Sequence, residues 1–288
     1  MKDMFMVNQP MLSVYKAPSM TAERIDELLY GMLGQLTGER KHGFVRICTG
    51  YGYEGWCRPE GLRDDEWDIC RVWCSNRGFI QSRFADVLSM PSIRAPLIVT
   101  LPKGSLVTVC GEEVDGWQSV ELLGRIRGYV RCSQISPMRT GKRACFWQCG
   151  PVRCSPEEEN RLRRKLVETA MEYLGTPYRW GGKSPEGIDC SGLCSLVYWL
   201  NGIVIYRDSR ILLGYAVREI PAEEMQPGDL LYFPGHMALY VGDGWFIHSS
   251  FSKGGVVMGS LYPEDKSYSP ELAGQLRQVG SIFDVQKA

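Results

Sequence analysis

The sequence predicts an α+β protein in which two small β-barrels precede a domain of helices followed by strands. Three observations predict it. Short β-branched runs between turn residues fill the chain from about Met11 to about Pro137. The later half of that stretch echoes the earlier half. After residue 150 the pattern changes to two helical segments and then a series of strands.

The second barrel is the clearer. Leu97-Ile98-Val99-Thr100-Leu101-Pro102-Lys103-Gly104, then Leu106 to Cys110, Gly116-Trp117-Gln118-Ser119-Val120 and Gly128-Tyr129-Val130 are short strand-like runs with close turn signals. In the first barrel Leu12-Ser13-Val14-Tyr15 opens, Phe44 to Cys48 follows, and Gly55-Trp56-Cys57 takes the place of Gly128-Tyr129-Val130. Between them Thr21 to Tyr30 has helical character. The expected divisions are 1–80, 81–150 and 151–288.

The third part begins Ser155-Pro156-Glu157-Glu158, a capping box with proline at the first helical position. Leu162, Leu166, Ala170 and Leu174 form one apolar stripe, and Gly175 and Pro177 stop the helix. A second helix is expected from Cys190 to Leu200, ending at Asn201-Gly202. Leu230 to Phe233, Met237 to Val241 and Trp245 to His248 read as antiparallel strands.

Composition narrows the function. Apolar residues are 44% and charged residues 23%, as in ordinary globular proteins. Lys+Arg and Asp+Glu both number 33, which gives a nucleic-acid partner no support. The N-terminus carries no h-region, and no apolar run is long enough to span a bilayer. The odd count of 11 cysteines then reads as reduced thiols in the cytoplasm. Cys70 with Cys74, and Cys145 with Cys149 and Cys154, are too loosely spaced for structural zinc and read as buried packing. No metal or cofactor is expected.

With 3 histidines in the chain, a cysteine–histidine site has few possible builds. Cys190 opens a helix, where free N–H groups and the helix dipole favour a thiolate. If Gly242-Asp243-Gly244 is a three-residue hairpin loop, Ala238 faces His248, and His236 and His248 share one face as diagonal neighbours about 7–8 Å apart. A two-residue loop would put them on opposite faces. Cys194, one turn into the helix, is read as packing.

These residues carry a resemblance. Gly175-Thr176-Pro177-Tyr178-Arg179-Trp180-Gly181-Gly182, Gly187-Ile188-Asp189-Cys190-Ser191-Gly192, Gln226-Pro227-Gly228-Asp229-Leu230, Gly235-His236-Met237-Ala238 and Ile247-His248-Ser249-Ser250 resemble the NlpC family of cell-wall cysteine peptidases. The resemblance implies a papain-like domain with Cys190 as nucleophile, His236 as base and His248 as the third polar residue. The two β-rich stretches resemble bacterial SH3 domains.

That layout is similar to the γ-D-glutamyl-L-diamino acid dipeptidyl-peptidases of cell-wall peptide recycling, which take peptides with a free N-terminal L-Ala. The resemblance implies that Glu23, Tyr53 and Asp208 hold the free amine, with Tyr51 the alternative to Tyr53. It implies that Tyr178, Asp189, Ser191, Arg207 and Ser209 lie at the substrate. The partner expected is therefore an L-Ala-γ-D-Glu-diamino acid peptide, with meso-diaminopimelate and L-lysine both open. Leu212 departs from the subgroup, which often has Gln there. Another amide reaction on the same frame, action on intact peptidoglycan and a non-enzymatic wall-binding role are the rivals.

Overall fold

Glycines with positive φ and β-branched runs divide the first half of the chain into strands. The computed structural model describes residues 3–65, 77–137 and 150–283. They fall in two compact units, Met1–Ala144 and Cys145–Ala288.

The first unit holds two sheets. β1 (Met4–Val7), β2 (Met11–Tyr15), β3 (Arg24–Leu29), β4 (Leu33–Lys41), β5 (Phe44–Thr49), β6 (Glu54–Cys57) and β7 (Leu62–Arg63) form one, in the order β3-β2-β6-β5-β4-β1-β7. β8 (Arg77–Ile80), β9 (Phe84–Leu88), β10 (Leu97–Pro102), β11 (Leu106–Val114), β12 (Trp117–Leu122), β13 (Ile126–Arg131) and β14 (Ile135–Pro137) form the other, in the order β10-β9-β13-β12-β11-β8-β14. The two orders are the same, and a constant shift of 73 residues maps one onto the other (Met4 to Arg77, Leu33 to Leu106, Phe44 to Trp117). Register repeats too: Arg46 faces Trp56 and Ser119 faces Tyr129.

Two expectations change here. Thr21 to Tyr30 is not helical; Arg24–Leu29 is strand β3, paired to β2 with Leu12 opposite Leu28. Sheet pairing that buries Leu28 and Leu29 outweighs the helix propensity of Glu and Leu. β8 lies in the second sheet, so a division after residue 80 would cut that sheet.

Met6 and Tyr30 of the first sheet pack into one apolar cluster with Ile80, Val87, Val120 and Val130. The Tyr30 hydroxyl accepts the Leu123 N–H at 2.6 Å. Beside it Gly31 (φ +77) approaches so closely that a Cβ would lie 2.4 Å from the Leu106 carbonyl oxygen.

The second unit begins with the expected capping box. The Ser155 hydroxyl accepts the Glu158 N–H and the Glu158 carboxylate accepts the Ser155 N–H, opening helix α1 (Pro156–Met171). Leu166 and Ala170 are buried, whereas Leu174 lies past the helix end and is exposed. Buried Arg163 on α1 donates to Asp229 at 2.9 Å and to Glu159 at 2.8 Å. After a short hairpin, β15 (Lys183–Ser184) and β16 (Gly187–Ile188), comes α2 (Cys190–Leu200), buried along nearly its whole length.

β17 (Arg218–Ile220), β18 (Leu230–Phe233), β19 (His236–Gly242), β20 (Trp245–Ser250), β21 (Gly255–Ser260) and, after α3 (Pro270–Ala273), β22 (Gln278–Ser281) form an antiparallel sheet in the order β17-β22-β18-β19-β20-β21. α2 packs on β19 and β20. Among the described residues no helix is long and apolar enough to cross a membrane.

Candidate active site

Cys190 is the first residue of α2, and Asp189 is its N-cap. The Asp189 carboxylate accepts the Gly192 N–H at 2.5 Å and the Gly181 N–H at 2.8 Å. The Arg207 fork completes it, Nη1 at 3.1 Å and Nη2 at 3.0 Å from the two oxygens. Arg207 Nη1 also reaches the Ser191 hydroxyl at 2.6 Å. Asp189, Ser191 and Arg207 therefore form a buried, mutually satisfied network under the helix start. Gly192 is required by close approach: a Cβ there would stand 2.1 Å from the Gly182 carbonyl oxygen.

The hairpin of β19 and β20 sets the histidines. Leu239 faces Ile247 and Tyr240 faces Phe246, the register that brings Ala238 opposite His248. The loop differs from expectation. Gly242 pairs with Trp245, so the turn has two residues, Asp243 (φ +48) and Gly244 (φ +77), and the register shifts at Val241. A two-residue turn alone would have put the histidines on opposite faces. The extra residue at Val241 restores the register that places them together. His236 Nε2 lies 2.8 Å from His248 Nδ1.

Burial sets the proton states. The Cys190 thiol is pushed up to about 11 by burial and then by the Asp189 charge, while the Met237 and Ser191 N–H groups and Arg207 oppose this. The Met237 N–H donates toward the Cys190 sulfur, and Met237 follows His236 in β19. Burial lowers His236 to about 4, against the pull of Asp189. Burial, then His236 and Lys253, lower His248 to about 3. Thiol and imidazoles are thus all neutral at rest. With His236 carrying its proton on Nε2 toward His248, its Nδ1 is left as a proton acceptor.

Tyr178 joins this group. Its phenol is pushed up to about 12 by burial and by the charges of Cys190 and Asp189. Its ring packs on Phe251, centroids 5.6 Å apart. Asp208 and Ser209 are half-buried and follow Arg207 in the chain.

Glu23 and Tyr53 belong to the first unit. Glu23 pairs with Lys16 at 2.9 Å on the surface, and Tyr53 is half-buried. The same region carries two buried acids that sequence reasoning missed, both on β3. Asp26 accepts a hydrogen bond from the Tyr51 hydroxyl, and Glu27 lies 3.8 Å from Arg24. Shifting by 73 residues turns Asp26, Glu27 and Tyr51 into Val99, Thr100 and Gly124. Comparing the repeats position by position would have found them.

Among the described residues no group of His, Cys, Asp and Glu is arranged to hold a metal. Cys70, Cys74, Cys145 and Cys149 lie outside the described residues, and Cys154 is a free thiol.

Residues 175–274 match the NlpC/P60 family. The chain is 40% identical over 278 residues to "Dipeptidyl-peptidase 6" of Lysinibacillus sphaericus, covering 95% of this chain and 97% of that one. It is 35% identical over 164 residues to the "Gamma-D-glutamyl-L-lysine dipeptidyl-peptidase" of Bacillus subtilis, covering 53% of each. An NlpC/P60 family protein of Bacillus cereus has the same fold, with a TM-score of 0.80 and 18% identity, over 98% of this chain and 100% of that one. A peptidase-like cysteine and histidine pair, in a chain alike along nearly its whole length to a dipeptidyl-peptidase, carries one conclusion: this protein belongs to the NlpC/P60 family.

Proposed function

We propose that this protein is a cysteine peptidase that hydrolyses the γ-D-Glu–diamino acid bond of cell-wall peptides with a free N-terminal L-Ala. The observation that carries this is the hydrogen bond between His236 and His248 in a domain whose Cys190 opens a helix, with the Met237 N–H directed at its sulfur. His236 Nδ1 takes the proton from Cys190 as sulfur attacks the γ-carbonyl carbon. The tetrahedral intermediate collapses as His236 returns the proton to the leaving amine, giving a thioester and free diamino acid. Water, deprotonated by His236, then attacks the thioester and releases the L-Ala-D-Glu acid and the thiol. His248 holds the His236 tautomer through both halves.

The bond chosen rests on the dipeptidyl-peptidase likeness. The free-amine requirement rests on Glu23, Tyr53 and Asp208. The buried Asp26 and Glu27, absent from the matching strand of the second sheet, support a cation-binding role for the first sheet. The two sheets are read as bacterial SH3-like barrels, and the site of action as the cytoplasm.

The test is incubation with L-Ala-γ-D-Glu-diamino acid peptides and their N-acetylated forms, with products identified by mass. Cleavage after D-Glu, at least about tenfold faster for the free amine, is expected because acetylation removes one charge-assisted hydrogen bond. Equal rates would replace this reading with hydrolysis of intact wall.

A further inference from the structure

The two sheets of the first unit share topology, register and a shift of 73 residues without insertion from β1 to β7. Differences between equivalent positions are therefore substitutions on one scaffold. One group of them changes a surface.

In the first sheet Arg46 on β5 lies between two carboxylates. Its guanidinium is 2.6 Å from Glu39 and 2.8 Å from Glu54. This side chain and its two partners cover the face between β4 and β6. In the second sheet the equivalents are Ser119, Glu112 and Arg127. Serine is too short to span the face, and the second carboxylate has become a guanidinium. A groove of about 420 Å³ opens there, lined by Pro91, Glu112, Trp117, Ser119, Arg127 and Tyr129 among others. Its size suits a small ligand.

The scaffold under the groove is unchanged. Arg131 lies over the Trp117 ring at 4.2 Å, as Arg58 lies over Phe44 at 5.4 Å in the first sheet. Gly38 and Gly111, at equivalent places in β4 and β11, both hold a positive φ. What differs is the missing plug and the reversed charge.

We propose that this groove binds a short peptide by its free ends, with the ammonium at Glu112 and the carboxylate at Arg127, and the backbone between them over Tyr129 and Pro91. Glu112 and Arg127 are exposed and, among the described residues, neither has an ion-pair partner. A lone cation or lone anion would satisfy one of them and be repelled by the other. A zwitterion satisfies both. The first sheet shows that a cation is held by the carboxylate at the Glu112 position when one is supplied from within the chain. This binding does not depend on the reading of Cys190.

The test is calorimetric titration of the full chain with trialanine, and with N-acetyl-trialanine amide, against the double variant Ser119→Arg/Arg127→Glu. That variant rebuilds the arrangement of Arg46, Glu39 and Glu54, which this scaffold already accommodates. Trialanine is expected to bind the unmodified chain. The double variant and the capped peptide are each expected to weaken binding by at least about tenfold, the usual worth of one charge-assisted hydrogen bond. Arg127→Gln removes the cation that holds the peptide carboxylate without adding charge. It is expected to do the same if the double variant folds poorly, as judged by its thermal midpoint. No binding of trialanine, equal binding by the plugged variant or Arg127→Gln, or equal binding of the capped peptide overturns the proposal. Hydrolysis at Cys190 is expected to be unchanged in both variants.

Discussion

At Cys190 the local sequence and the surroundings act in opposite directions. The helix start and neighbouring N–H groups favour the thiolate, while burial and Asp189 push the thiol up to about 11. In the proposed mechanism the neutral pair is then the resting state, and the proton moves only as sulfur attacks. Cys190→Ala is expected to abolish hydrolysis with an unchanged circular dichroism spectrum; residual full activity would remove Cys190 from the mechanism. His248→Ala is expected to lower kcat by about a hundredfold with little change in KM, since it removes tautomer control and leaves substrate binding alone. The buried histidines also set the pH response. The unfolded chain binds protons at His236 near 6.5, the folded chain only near 4. Stability is therefore full above about 6.5 and falls as pH drops toward 4. Chemical denaturation at pH 7 and pH 4.5 should show a loss on the order of a few kcal/mol, reduced in a His236→Ala variant, the remainder belonging to His248. The acid limb of kcat/KM is expected near 4, the value to which burial takes His236.

Among the elements, the β19–β20 hairpin and the start of α2 determine whether those residues meet. Val241 supplies the extra residue that lets a two-residue turn keep His236 and His248 on one face. Deleting Val241 is expected to slip the register by one and separate the histidines, with activity lost while the sheet content persists. Retained activity in that deletion would show that the bulge does not set the register. Gly192→Ala would drive a methyl to 2.1 Å from the Gly182 carbonyl, and backbone cannot yield as a flexible side chain can. A loss of at least about 2 kcal/mol in unfolding free energy, together with reduced activity, is expected. At α1, Ser155→Ala removes an ordinary cap and should cost about 1 kcal/mol with no change in kcat.

For the whole molecule, duplication explains what is shared and what is special. One sheet plan appears twice, and an apolar cluster joins Met6 and Tyr30 of the first sheet to the core of the second. Tyr30→Phe would leave the Leu123 N–H without its acceptor and is expected to cost about 1–3 kcal/mol, read as a lower thermal midpoint. Against that common plan, Asp26, Glu27 and Tyr51 stand out in the first sheet and Ser119 and Arg127 in the second. The second unit carries the proposed chemistry. Arg163 and Asp229 tie α1 to the segment leading into β18, and Arg163→Met is expected to cost about 3–5 kcal/mol by leaving Asp229 buried and uncompensated.

The sequence by itself determined the features that depend on neighbours in the chain. The Ser155 cap, α2 opening at Cys190 and ending at Asn201-Gly202, and the three strands that carry or flank His236 and His248 could be read from caps, periodicity and turn signals. Tertiary structure alone decided the rest. Arg24–Leu29 became a strand because pairing with β2 buries two leucines that an isolated helix would leave exposed. The hairpin loop took a bulge because the core tolerates one register and the turn another. Asp26 and Glu27 lay in a stretch read as helical, and only packing reveals them as buried acids of a strand. Burial is a property of many distant neighbours at once, which no window of adjacent residues contains.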